Sequence, residues 1–192
     1  MGDAIEPGGT TVRLRSFEEH DVAAVTAIYA GAVTHGTGSF EIDAPDEAEM
    51  ARRAKALVEG GFPYLIAHSA EGEVLGYAYA GPYRARPAYR FAVEDSIYVG
   101  PSARGKGVGR VLLTRLIAEC EARGFRQMIA VIGDSANLAS IGLHHNLGFR
   151  LTGVFEAVGW KHERWLDSVL MQRALGLGGS APPPAPAGAS GR

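Results

Sequence analysis

The 192-residue chain has a single cysteine, Cys120, so no disulfide can form within it, and a reducing cytoplasm is the expected compartment. It lacks any apolar run long enough to span a bilayer, and no charged segment followed by an apolar one stands at its start, so neither a membrane nor an export route is expected. A basic excess is missing too. Nineteen Lys and Arg against 21 Asp and Glu leave a net charge of −2, which argues against nucleic acid as a partner. The six histidines show no metal-ligand spacing, His145 and His162 included, so no metal is expected. There is no internal repeat. What is present, 46% hydrophobic and 21% charged residues, suits one soluble domain with a core of its own.

Residues 11–15 alternate and read as a first strand. Ser16 and Glu19 have the spacing of a capping box, with Val22, Val25, Ile28 and Tyr29 following at helical intervals. Two glycines in residues 35–41 break that helix, and residues 43–46 open a second one that stops at Gly60 and Gly61. Phe40, between the helices, is either an apolar pocket wall or an ordinary core aromatic. Residues 64–68 and 74–80 form a hairpin pattern. In an extended segment 81–90, Arg84 and Arg86 would point the same way as a fork for an oxyanion; the other reading is a solvated basic loop.

Residues 91–99 then read as a strand, 108–123 as a helix stopped by Gly124, and 125–132 as a strand parallel to the previous one, because a helix separates them. Cys120, near that helix's C-terminus on its apolar face, is expected in the core and not as a nucleophile. A short helix follows Asn137, and residues 149–155 and 165–171 make a final antiparallel pair with 159–163 between them. The class is α/β, with a mixed, mostly antiparallel sheet and a central βαβ unit. Residues 11–175 form the domain. Residues 1–10 and the Gly-, Ala- and Pro-rich 176–192 are expected to be disordered tails, the latter having too little apolar surface to offset ordering.

The chain centres on residues 94–109, Glu-Asp-Ser-Ile-Tyr-Val-Gly-Pro-Ser-Ala-Arg-Gly-Lys-Gly-Val-Gly. A strand enters a turn with glycine at positions 105, 107 and 109, and a helix starts inside it, which suits an anion such as a phosphate. The P-loop pattern fits up to Lys106 but then needs Ser or Thr where Gly107 stands, and Pro101 removes an amide from the cradle. The dinucleotide fingerprint has a different glycine spacing.

What fits is Arg/Gln-x-x-Gly-x-Gly/Ala, met by Arg104, Gly107 and Gly109, together with Asn137 on the next βα turn. This resembles the acetyl-CoA signature of the GNAT superfamily of N-acetyltransferases, and the element order resembles its fold. Residues 93–99, the Asn137 to His144 segment with Leu147-Gly148-Phe149, and Gly159-Trp160-Lys161-His162 look like its phosphinothricin and methionine sulfone acetyltransferase branch. The resemblance implies that the amides of Arg104, Gly105, Lys106, Gly107, Val108 and Gly109 hold the coenzyme's pyrophosphate. It further implies that Ile97, Tyr98 and Val99 meet its pantetheine arm, and that Asn137 and Ser140 also belong to the coenzyme site. Arg84, Arg86 and Tyr89 fall where the polar groups of an amino-acid acceptor would need partners, and Phe40, as the apolar wall, completes the candidate substrate set. A homodimer is implied as well.

Acetyl transfer to an ammonium needs a base, and Glu94, on the strand beside the thioester, is the candidate; a salt bridge to an arginine is the alternative. The amides of Ile97 or Tyr98 are placed to polarise the carbonyl. His144 stands where many relatives have a tyrosine that reprotonates the thiolate, and acid, base, substrate contact and packed structural residue all stay open. The expected activity is transfer of acetyl from acetyl-CoA to the α-amine of a small amino acid such as phosphinothricin, methionine sulfone or methionine sulfoximine. The alternatives are a protein N-terminal acetyltransferase and a non-catalytic acyl-CoA sensor.

Overall fold

The computed structural model describes residues 11–183; residues 1–10 and 184–192, part of the expected tails, lie outside the described residues. The elements are β1 (Arg13–Ser16), α1 (Val22–His35), α2 (Glu47–Glu59), β2 (Tyr64–His68), β3 (Val74–Pro82), β4 (Ala92–Val99), α3 (Val108–Ala122), β5 (Gln127–Gly133), α4 (Leu138–Asn146), β6 (Arg150–Lys161) and β7 (Arg164–Ala174). One seven-stranded sheet runs in the order β1-β2-β3-β4-β5-β7-β6. Among the described residues only β4 and β5 pair in parallel, so the expected mixed, mostly antiparallel sheet with one βαβ unit is what the chain forms.

Apolar periodicity decides what covers each face. Val108, Val111, Leu112, Leu113, Leu116, Ile117 and Cys120 of α3 are buried, joining Val93, Met128, Ala130 and Phe149 in the larger core. Burying each large side chain there contributes about 1.5–3 kcal/mol. Burial also pushes the Cys120 thiol up to about 12, so it stays an inert core group as expected. Under the opposite face α1 and α2 pack Val25, Tyr29, Val33, Met50 and Ala54 on Tyr64, Ile66 and Tyr77. α2 starts where Asp46 accepts the Glu49 amide at 2.8 Å.

Two details differ from the sequence reading. Ser16 ends β1 and caps nothing: the helix entry is built by Asp21, whose carboxylate accepts the Glu18 amide at 2.8 Å and the Arg15 guanidinium at 2.6 Å. The last hairpin is longer than expected, because β6 runs through Gly159, Trp160 and Lys161 and the turn is only His162 and Glu163, both at positive φ. Residues 176–183, the described part of the expected tail, make contacts with the end of the domain. Gly178 and Ser180 donate to Leu175 O and Leu177 O, and Arg126 reaches Pro182 O at 2.9 Å.

Candidate active site

β4 and β5 stay paired for only three positions, Ala92 with Gln127, Val93 with Met128 and Glu94 with Ile129. Beyond Glu94 they diverge, while β4 remains paired to β3 all the way to Val99. The flank of β4 facing β5 therefore has backbone groups with no strand partner, and polar backbone of this kind seeks another hydrogen-bonding chain. The gap opens into a cleft of about 910 Å³ that is lined by residues 94–99, by residues 130–134 of β5 and its end, and by α4.

At one end lies the glycine turn. Gly105 and Gly107 have φ of 74° and 80°, the left-handed region that glycine enters without strain. Gly107 caps α3 in that conformation. Among the described residues the amides of Gly105, Gly107, Val108 and Gly109 meet no acceptor, whereas that of Lys106 returns to Ala103 O at 3.4 Å. Free amides at the start of a 15-residue helix, with Arg104 and Arg110 beside them on the lining, make an anion cradle. The cradle and the long gap leading from it suit a ligand with a diphosphate and a slender amide-bearing arm.

Strand alternation sorts β4 side chains between the two faces. Val93, Ile97 and Val99 turn toward the α3 side, and Tyr98 turns toward α1, where its ring meets Tyr29 edge-on at 4.9 Å. Glu94 shares the Tyr98 face and Asp95 the Ile97 face. The Glu94 side chain is 34% exposed, and its nearest cation is the Arg84 guanidinium at 4.0 Å, too far for a hydrogen bond. Burial raises its carboxyl above the usual range, with Arg84 pulling the other way. A carboxylate so placed holds a proton more strongly than a solvated one, which suits a general base.

His144 is buried and uses both ring nitrogens. Nδ1 lies 2.7 Å from Ser140 O and Nε2 lies 3.0 Å from Asp95 Oδ2. A carbonyl and a carboxylate only accept, so the ring that satisfies both is the doubly protonated one. Burial alone would disfavour that charge, but the hydrogen bond and charge of Asp95, with the Ser140 carbonyl, outweigh it and raise the pKa. In that form no ring lone pair is free to take a proton. Asp95, which sequence reading passed over, also keeps a buried oxygen, Oδ1, that has no hydrogen-bond partner among the described residues.

The other expected residues divide. Phe40, Ile97, Tyr98, Val99, Arg104, Gly105, Gly107, Val108, Gly109, Asn137 and Ser140 line the cleft with Glu94 and His144; Lys106 does not. Asn137 Oδ1 is occupied in capping α4, accepting the Ser140 amide at 3.2 Å. Arg84, Arg86 and Tyr89 are not on the lining of this cleft. Segment 81–90 is not extended throughout, because Pro87–Tyr89 is a 3-10 turn. Arg84 lies over the Tyr83 ring and donates to Tyr83 O, while Tyr89 packs edge-on against Tyr83 and is 43% exposed. Of this group only Arg84 comes near a candidate catalytic residue.

This geometry is matched by known proteins. The model of the acetyltransferase (GNAT) family covers residues 26–149. A phosphinothricin N-acetyltransferase of Alcaligenes faecalis is 51% identical over 170 residues, spanning 88% of this chain and 86% of its own. An L-methionine sulfoximine/L-methionine sulfone acetyltransferase of Pseudomonas paraeruginosa is 43% identical over 162 residues, 84% of this chain and 94% of its own. Among solved structures, a phosphinothricin acetyltransferase from Sinorhizobium meliloti in complex with AcCoA superposes with a TM-score of 0.88 at 49% identity, covering 90% of this chain and 93% of that one. With strands that part beside an amide-rich helix start, and with this similarity along most of its length, the chain belongs to the GNAT family of acetyltransferases.

Proposed function

We propose that the protein transfers acetyl from acetyl-CoA to the α-amine of a small amino acid or analogue, of the phosphinothricin, methionine sulfone or methionine sulfoximine type. The observation that carries this reading is the parting of β4 and β5 just past Glu94, which sets a raised-pKa carboxylate beside a cleft that ends in an anion cradle. Acetyl-CoA supplies the reactive thioester. The amides of Gly105, Gly107, Val108 and Gly109, with Arg104 and Lys106 nearby, hold its diphosphate, and the backbone of Ile97, Tyr98 and Val99 aligns its arm. Glu94 takes the proton from the acceptor's ammonium, on the face of β4 that looks toward α1 and α2. His144, fixed as a cation by Asp95, offers positive charge to the cleft wall and accepts no proton. Arg84, beside Glu94, is the cation nearest the acceptor end.

A small acceptor is favoured over a peptide because residues 36–41, which border the cleft, are tied to the end of β6. Lys161 Nζ donates to Ser39 O at 2.8 Å and His162 Nε2 to Gly36 O at 3.2 Å. A pure acyl-CoA sensor has no need of a desolvated carboxylate at position 94. The test is thiol release from acetyl-CoA with a panel of amino acids and with short peptides. Release with methionine sulfone or phosphinothricin supports the reading, and acetyl-CoA binding without release by any acceptor overturns it.

The reaction is placed in the cytoplasm, in keeping with the free, buried Cys120; among the described residues no helix is long and apolar enough to cross a membrane. A homodimer is proposed through β6, an edge strand on which Leu151, Phe155, Val158 and Trp160 are exposed. Sedimentation showing only monomer at micromolar concentration contradicts that assembly.

A further inference from the structure

Gly133 and Gly159 stand at the ends of β5 and β6, on either side of the Phe40 ring. A Cβ added to Gly159 would lie 2.5, 2.8 and 3.1 Å from three ring atoms of Phe40. One added to Gly133 would overlap Thr37 O and stand 2.9 Å from Phe40 Cε1. Neither residue has positive φ, so closeness to the 37–40 loop, and not backbone conformation, demands glycine. Two residues past Gly159, Lys161 is buried at 5% exposure, and its ammonium is given to Ser39 O. Burial lowers the pKa of this lysine, Glu41 opposing, so the contact carries a desolvated charge. Ser39 is held from the other side as well, its Oγ lying 3.0 Å from Tyr29 Oη and accepting the Glu41 amide at 3.2 Å. Gly36, Thr37, Gly38 and Phe40 line the cleft, but Gly159 and Lys161 do not.

We propose that Gly159 and Lys161, which are not on the cleft lining, are specificity-determining positioning residues that hold Phe40 against the end of the sheet and so set the room left for the acceptor's side chain. This rests on the reading of the cleft as an amino-acid N-acetyltransferase site. Gly159 gives the ring its seat. Lys161 holds the backbone one residue before it. A methyl group at 159 has to push the ring off the strand and into the acceptor end, while loss of the Lys161 ammonium lets the loop lift. The first change penalises long acceptors more than short ones. The second weakens all acceptors together, and neither alters the coenzyme end, which lies on the glycine turn.

The test measures KM for acetyl-CoA and for two acceptors of different length, methionine sulfone and alanine, in Gly159→Ala, Phe40→Ala and the double variant. Gly159→Ala is expected to raise the methionine sulfone KM about tenfold, the effect of about one methylene in an apolar pocket. Its alanine KM should rise less, and its acetyl-CoA KM should stay unchanged. In the Phe40→Ala background the same substitution should add nothing, because there is no ring to displace. Lys161→Met should raise both acceptor KM values and Lys161→Arg should restore them in part. Additive effects at 40 and 159, or a shift in the acetyl-CoA KM equal to that of the acceptor, overturn the proposal. Independently of turnover, 19F NMR of protein labelled with 4-fluorophenylalanine follows the ring directly. The resonance lost in Phe40→Leu must move in both Gly159→Ala and Lys161→Met, and if it stays fixed the proposal fails even where catalysis changes. A wild type that releases thiol with no amino acid takes down the parent reading instead, a result distinct from normal turnover with additive variants.

Discussion

Adjacent carboxylates on β4 face opposite ways and meet opposite fates. Glu94 stands 4.0 Å from Arg84, and burial holds its carboxyl above the usual range, so the proton-accepting form gains population as pH rises. Arg84 works against that shift. Arg84→Met is therefore expected to raise the Glu94 value further and to move the acid limb of kcat to higher pH. Thiol release at saturating acceptor, followed between about pH 5 and 9, reads it, and a limb moving to lower pH contradicts the assignment. Asp95 makes the reverse kind of contact, keeping a proton on His144. Because the folded value of His144 is raised, the pair's stabilisation is complete below about pH 6.5 and is lost as pH climbs through the folded value. Asp95→Asn is expected to cost about 1.5–3 kcal/mol at pH 6, with the gap to wild type narrowing at high pH. Denaturant unfolding at both pH values measures this, and an equal gap at both contradicts it.

The turn from β4 into α3 is the element that the sequence displays most openly. Its glycines, the strand before and the helix after are local features, and all are found where the spacing put them. Gly107 shows what the turn depends on. At φ 80° a side chain costs about 1–2 kcal/mol, and relief of that strain would turn the neighbouring free amides away from the cradle. Gly107→Ala should lower thermal stability by that amount and weaken acetyl-CoA binding in calorimetry, leaving Glu94 chemistry intact at saturating coenzyme. Unchanged affinity would remove the turn from the binding site. Helix faces were equally legible, since periodicity of 3.6 marks them in any context. Features needing distant partners were not. The His162-Glu163 turn lacks the Asn-Gly signal of a tight hairpin, and Asp95 gains meaning only once α4 brings His144 beneath it. The Arg84–Arg86 reading assumes a regular extended run, whereas residues 83–86 bend and Arg84 is taken up by the Tyr83 ring and carbonyl.

At the scale of the whole molecule, the sheet divides the work of the site between its two faces. α3 and α4 cover the side that carries the coenzyme cradle and the Asp95–His144 pair, while α1, α2 and their connecting loop cover the side reached by Glu94. The parting of β4 and β5 joins the two. This division follows from alternation along one strand, so Glu94 can lose its chemistry without disturbing what lies beneath Ile97 and Val99. The most direct measurement is thiol release from acetyl-CoA with methionine sulfone by wild type and by Glu94→Gln, alongside acetyl-CoA affinity for each. A fall in kcat of about 10²–10⁴-fold with unchanged coenzyme affinity is the predicted result. Turnover by Glu94→Gln equal to that of wild type would contradict the account.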